Sequence, residues 1–194
     1  MSKISPNYQH SMVIVHGKSE HSLCSCIKSN LHLPGEIVAE RKGKCSIQIT
    51  SLRDYLNRNE FKTFYNFHKK FDMVHAFKGE LIDFKLFVIM DVDDCSIQQK
   101  QSYIQKTMFS DHWLKNYIVP IVNDPNLEET MTQAGIPVHK KKDYITIFPT
   151  SHGDMDIGQA EALLEKIKRC SCTNLGDYLG YCLDWAKKSA IHTI

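Results

Sequence analysis

No stretch of this 194-residue chain is apolar for long enough to cross a membrane. The longest apolar runs, residues 86–90 and 117–122, the second interrupted by Pro120, fall far short of the roughly 20 residues that a spanning helix needs. The opening residues MSKISPNYQH contain no apolar stretch of the kind found in a secretory signal. Seven cysteines, an odd number at irregular spacing, fit reduced thiols rather than a disulfide framework, so the cytoplasm is the expected compartment. Net charge is nearly absent as well. The 24 basic and 22 acidic residues leave only +2, and no overall charge imbalance selects a class of partner. Neither GxxxxGK[ST] nor GxGxxG occurs, which removes the two common glycine-rich phosphate fingerprints. No internal repeat, low-complexity tract or linker interrupts the chain.

What is present is an alternation of apolar strands with amphipathic segments. At 42% apolar the chain can bury a sizeable core. Residues 11–17, SMVIVHG, read as a strand, followed by a helix over about 19–31 that stops at Pro34-Gly35. Residues 36–41 are a candidate second strand. From 46 to 71, Leu52, Tyr55, Leu56, Phe61, Phe64, Tyr65 and Phe67 recur at helical spacing; such aromatics belong to a core more often than to a base-stacking face. A strand over 84–90, a helix over 96–108 and a strand over 117–123 come next, and Pro120 argues for a sheet edge. Pro125 fits the first turn of a short helix running to about Ala134. One more strand-like run, YITIF at 144–148, precedes two helices over about 158–170 and 173–189. The expected fold is α/β: a mostly parallel, Rossmann-like sheet flanked by helices over 11–125, with a mainly helical C-terminal extension over 126–194 packed on it.

The strand at 84–90 runs into three carboxylates, Asp91, Asp93 and Asp94. Side chains alternate along a strand, so Asp91 and Asp93 would share one side at its C-terminal edge, where open α/β sheets bind ligands. Mg²⁺ takes one or two carboxylates and completes its octahedron with water and phosphate oxygens. From the tripeptide alone, a helix cap by Asp93 or Asp94 is an equal reading. The first strand ends in His16-Gly17-Lys18-Ser19-Glu20. Gly17 permits a tight turn, and a helix N-terminus offers amides to an anion; the plainer reading is a βα turn that Ser19 caps. Basic residues gather late in the chain, at Lys140, Lys141 and Lys142, at Lys166, Lys168 and Arg169, and at Lys187 and Lys188. They suit an anionic polymer or a solvated face.

Taken together, HGKSE and Asp91-Val92-Asp93 resemble the Toprim domain of topoisomerases, bacterial primases and OLD-type nucleases, most closely the stand-alone RloB-like defence nucleases. Their first motif runs Glu-Gly-x-Thr-Glu. The segment at Asn126-Leu127-Glu128 is similar to a Phe-Glu segment of those nucleases, and residues 140–144 to their Lys-rich stretch. The likeness covers about residues 11–130. It implies Mg²⁺- or Mn²⁺-dependent cleavage of DNA or RNA phosphodiesters, in antiviral defence, with Asp91, Asp93 and Glu20 catalytic. Asp94 and His16 would join those three at the metal, Lys18, Lys140, Lys141 and Lys142 would meet nucleic acid, Glu128 would stand at the site, and an ATPase partner would assist. His16 occupies the place of the family's leading Glu, and an imidazole ligand would favour Zn or Mn over Mg. A catalytically weakened, Toprim-like subunit that binds nucleic acid or a partner is the alternative that this departure keeps open. A phosphatase-like or receiver-like domain with a nucleophilic Asp is a third, although the chain lacks the early paired acids and the downstream Thr and Lys signals of such domains.

Three other groups have both plain and chemical readings. Cys24 and Cys26, with His21 and His32 nearby, and Cys170 and Cys172 offer thiolates for zinc. Residues two apart on a helix, however, point about 200° away from one another, so buried structural thiols are the favoured reading. Asp154 and Asp156 lie in a loop that could approach the metal, with Asp156 equally suited to cap a helix.

Overall fold

Apolar residues fill consecutive positions of the two central strands, so both faces of the sheet need cover. The computed structural model describes residues 9–138, 143–144, 147 and 155–191. Strand β1 (Ser11–Val15) leads through helix α1 (Lys18–Asn30) to β2 (Glu36–Val38). A short 3₁₀ turn over Glu40–Gly43 precedes α2 (Ile49–Leu56) and α3 (Phe64–Lys70), and a small antiparallel hairpin, β3 (Ala76–Phe77) with β4 (Glu80–Leu81), follows. Then come β5 (Lys85–Asp91), α4 (Ile97–Ile104), β6 (Ile118–Asn123), α5 (Leu127–Gln133), α6 (Ile157–Lys168) and α7 (Leu175–Ile191). The main sheet has four parallel strands in the order β2-β1-β5-β6. The fold is Rossmann-like α/β with a C-terminal helical segment, and no helix among the described residues is long and apolar enough to cross a membrane.

Strand parity sorts the core into two layers. Met12, Ile14, Leu86, Val88 and Met90 face one way, against Leu52 and Leu56 of α2, Phe67 of α3 and Tyr103 of α4. Val13, Val15, Phe87 and Ile89 face the other, against Leu23 and Ile27 of α1, Leu127 and Met131 of α5, and buried residues of α6 and α7. Each such side chain contributes roughly 1.5–3 kcal/mol through burial. The chain moves outward from β1 to β2 across α1, and in the opposite direction from β5 to β6 across α4. Crossovers of one hand running in opposite directions put their helices on opposite faces, which is where α1 and α4 lie.

Tyr103 ties three elements together. Its buried hydroxyl reaches Val88 O on β5 at 2.5 Å and Ile121 O on β6 at 3.2 Å. Tyr103→Phe should therefore cost about 1–2 kcal/mol in denaturant unfolding, the worth of a buried hydrogen bond plus a carbonyl left without its donor.

The elements fall close to their sequence-predicted positions, with a few instructive differences. The helical periodicity of 46–71 resolves into two helices, because Asn57 and Arg58 leave the helix and a 3₁₀ turn over Asn59–Phe61 redirects the chain. Pro125 stands before the helix rather than in its first turn, and Asn126 is the cap, its Oδ1 accepting from Glu129 N at 3.0 Å. Pro120 does lie on edge strand β6, opposite Val88. That edge is covered: Asn174 Oδ1 accepts from Val122 N at 2.8 Å and Thr173 Oγ1 donates to Val122 O at 2.7 Å, which removes the hazard of an open edge. Of the YITIF run, Asp143 and Tyr144 form a 3₁₀ turn and most of the remainder lies outside the described residues.

Candidate functional site

The direction of the crossovers reverses between β1 and β5, so the crevice beyond their C-terminal ends is the topological switch point, the usual ligand position in an open α/β sheet. His16, Gly17 and Glu20 come to it from β1, and Asp91 from β5. His16 extends the ladder: its N–H donates to Ile89 O at 2.9 Å and its carbonyl accepts from Ile47 N at 2.7 Å. Gly17, in extended backbone, is the cap of α1, and its N–H donates to Glu20 Oε2 at 2.9 Å. Glu20 is thereby folded back over the helix start and is 2% exposed.

Asp91 is the last residue of β5, and its odd parity turns it to the layer of α1 and α5. It is 6% exposed. Its Oδ1 accepts from Asn123 Nδ2 at 3.2 Å and from Leu127 N, the first amide of α5, at 3.1 Å. The α5 start also brings Glu128, whose Oε1 accepts from Ser19 Oγ at 2.7 Å. Ser19 thus bridges α1 to α5 instead of capping α1. Burial, and after it the charge of Glu20, push the Asp91 carboxyl up to about 7; Glu128 adds to the shift, while His16 and the Asn123 hydrogen bond oppose it. The buried Tyr144 phenol lies beside the same group. Desolvation and then the charges of Glu128, Glu20 and Asp91 raise its pKa far above the ordinary range, against a lowering contribution from Ser19.

Three carboxylates, Glu20, Asp91 and Glu128, are therefore brought within electrostatic reach of one another, with His16, Ser19, Asn123 and Tyr144 around them. Among the described residues, both of Asp91's hydrogen bonds use Oδ1. A buried acid group of this kind is stable when it holds a proton or receives a cation. The donor set suits a cation that takes one or two carboxylates and completes its shell with water and substrate oxygens, as Mg²⁺ does. It is not an all-protein cage, since no three His, Cys, Asp or Glu side chains among the described residues are grouped to hold an ion.

The other expected residues are placed elsewhere. The ladder of β5 ends at Asp91, because Val92 N turns to Asn123 O and Pro125 O at 3.2 and 2.9 Å. Asp93 is consequently exposed in a turn, and its charge, with those of Asp94 and Asp124, bears on Cys95. The shared side expected of Asp91 and Asp93 needed two more residues of strand. The α4 cap is Ser96, not Asp93 or Asp94. Lys18 is exposed at the start of α1, while Lys140, Lys141 and Lys142 lie outside the described residues, as does Asp154. Asp156 caps α6 through Gln159 N at 3.1 Å. Cys24 and Cys26 are buried on α1; Cys24 lies near Cys182 and Tyr178. The sequence marks Ser19 only as a candidate cap and does not single out Asn123 or Tyr144, since each acts at the site through a partner distant along the chain.

No family model, curated protein or solved structure matches the chain.

Proposed function

We propose that this chain is a metal-dependent, Toprim-like nuclease acting on DNA or RNA phosphodiesters, with Glu20 and Asp91 as its central carboxylates. The observation that carries the reading is the burial of Glu20 and Asp91, beside Glu128, at the switch point between β1 and β5, with Asp91 pushed up to about 7. A bound Mg²⁺ or Mn²⁺ supplies a polarised phosphate and an activated water. Asp91 Oδ2 and Glu20 would hold it, Asn123 and the α5 amide fix the Asp91 carboxylate, and Ser19 fixes Glu128 at the margin. His16, at the end of β1, would serve as a ligand or base. Lys18, exposed at the start of α1, would meet the substrate backbone, and Asp93 and Asp94 follow the strand end in the turn before α4. An ATPase partner and a defence role accompany this reading through the same family likeness.

The test is incubation of purified chain with single- and double-stranded DNA and RNA in Mn²⁺ or Mg²⁺. Cleavage is expected that stops with chelator and falls on the order of a thousandfold in Glu20→Gln. The second reading, a non-catalytic nucleic-acid- or partner-binding subunit of the same shape, is favoured by His16 in place of a carboxylate. Absence of Mg²⁺ or Mn²⁺ affinity, together with binding but no cleavage of the four substrates, would favour it over the first.

A further inference from the structure

We propose that Lys18, Arg41, Lys42 and Lys44 form a strip that docks the sugar-phosphate backbone of a polynucleotide at the rim of the carboxylate site. The inference rests on reading that site as one for phosphodiesters.

Arg41, Lys42 and Gly43 are three consecutive residues in the left-handed region, at φ 47°, 59° and 78°. Only the last is a glycine, so two side chains are held in a conformation that L-residues avoid. The segment is held against the mouth of the site. A Cβ placed on Gly43 would come within 2.9 Å of Lys18 Cα and 3.2 Å of Gly17 C, and Ile47 N reaches His16 O at 2.7 Å. Arg41, Lys42, Lys44 and Lys18 are all exposed. None makes a salt bridge to a carboxylate among the described residues. Glu40, the acidic residue of the turn, makes no salt bridge to these cations among the described residues, and the charge of Lys42 bears on His21, whose pKa burial and then Lys42 depress.

A fold gains nothing by straining Arg41 and Lys42 to set two exposed cations beside Lys18 and Lys44 with no salt bridge among the described residues, so the arrangement is explained by what it meets. The occupant must be anionic, yet it must also approach a buried acid group. A small phosphate or an acidic protein face would gain from the strip and be repelled by the carboxylates. A polymer with a phosphate at every residue can rest one phosphate on the cations while its neighbour reaches the carboxylates through a divalent ion. The strip reads no bases, and its contribution is independent of sequence.

The experiment is fluorescence anisotropy of labelled 20-nucleotide DNA and RNA, single-stranded and duplex, in EDTA across a potassium chloride series. The full chain is compared with Lys18→Gln/Arg41→Gln/Lys42→Gln/Lys44→Gln. The variant should bind roughly tenfold more weakly or worse, and the slope of log affinity against log salt should shrink by about 3, close to 0.7–0.9 for each phosphate no longer neutralised. Arg41→Gly/Lys42→Gly, which relieves the left-handed strain, should melt no lower than the wild type while also binding more weakly; this separates docking from folding. Equal affinity and slope in wild type and quadruple variant overturn the proposal. So does a wild type that binds no polynucleotide at about 50 mM salt, or complete displacement by millimolar pyrophosphate, which would mark a small-anion site. Because EDTA removes the divalent ion, binding without cleavage in Mn²⁺ sustains the strip and refutes the nuclease, whereas cleavage with unaltered affinity in the quadruple variant refutes the strip alone.

Discussion

Asp91→Asn should abolish metal-dependent cleavage, by on the order of a thousandfold, and at the same time raise the melting temperature at pH 8. The two effects have one origin. An Asn side chain keeps an oxygen for Leu127 N and Asn123 Nδ2, so the hydrogen bond to the α5 start survives, but it removes a negative charge from beside Glu20 and Glu128. Folded Asp91 is pushed up to about 7 from an ordinary 3.8. Between those values the folded chain holds a proton that the unfolded chain has released, so the stability contributed by protonated Asp91 is present at low pH and is lost as pH rises through the window toward 7. The slope is at most about 1.4 kcal/mol per pH unit. Melting curves from pH 4.5 to 8 should show wild type falling relative to Asp91→Asn, and parallel curves would remove Asp91 from the account.

Gly43→Ala should destabilise the chain by about 2–4 kcal/mol, the sum of a left-handed alanine and a forced contact. Gly43 sits at φ 78°, and the three atoms nearest to an added Cβ are all backbone: Lys18 Cα at 2.9 Å, Lys18 N at 3.1 Å and Gly17 C at 3.2 Å. Nothing there can swing aside, so the 40–44 segment must lift from the α1 start and disturb the Gly17–Glu20 turn with it. Gly79 supplies the internal control. It lies at φ 83°, and a Cβ added there would meet no atom within 4 Å, so Gly79→Ala should cost only the backbone strain, about 1 kcal/mol. Denaturant unfolding of the two variants side by side checks both figures, and equal losses would mean that Gly43 makes no tight contact.

Strand β5, its terminal Asp91, helix α1 and the parallel alternation are all legible in the sequence, because each rests on a local pattern: an apolar run, a helical period, a turn residue. The acidic strand end is a good example of how far such patterns reach. The apolar run places Asp91 at the C-terminal edge of its strand, and the structure has it as the last residue of β5. Strand alternation fails for Asp93, because strand length is set by Asn123 O and Pro125 O on a neighbouring segment, and no local signal marks where the ladder stops. Ser19 shows the same limit. A serine beside a βα turn suggests a cap, yet its hydroxyl goes to Glu128, 109 positions away, and Gly17 takes the cap. The left-handed run at Arg41 and Lys42 is equally silent, since neither residue type favours that conformation. The third residue of the run, Gly43, packs so close to the α1 start that a Cβ there would come within 2.9 Å of Lys18 Cα.

Titration calorimetry of the wild-type chain with Mn²⁺ at pH 6 and 7, in two buffers of different ionisation enthalpy, tests the carboxylate site most directly. One binding event that releases a proton is expected, with the released fraction larger at pH 6 than at pH 7 because Asp91 must give up its proton to accept the ion, and that event should be lost in Asp91→Asn. No heat of binding in the wild type, or the same affinity in Asp91→Asn, would contradict metal binding at Asp91.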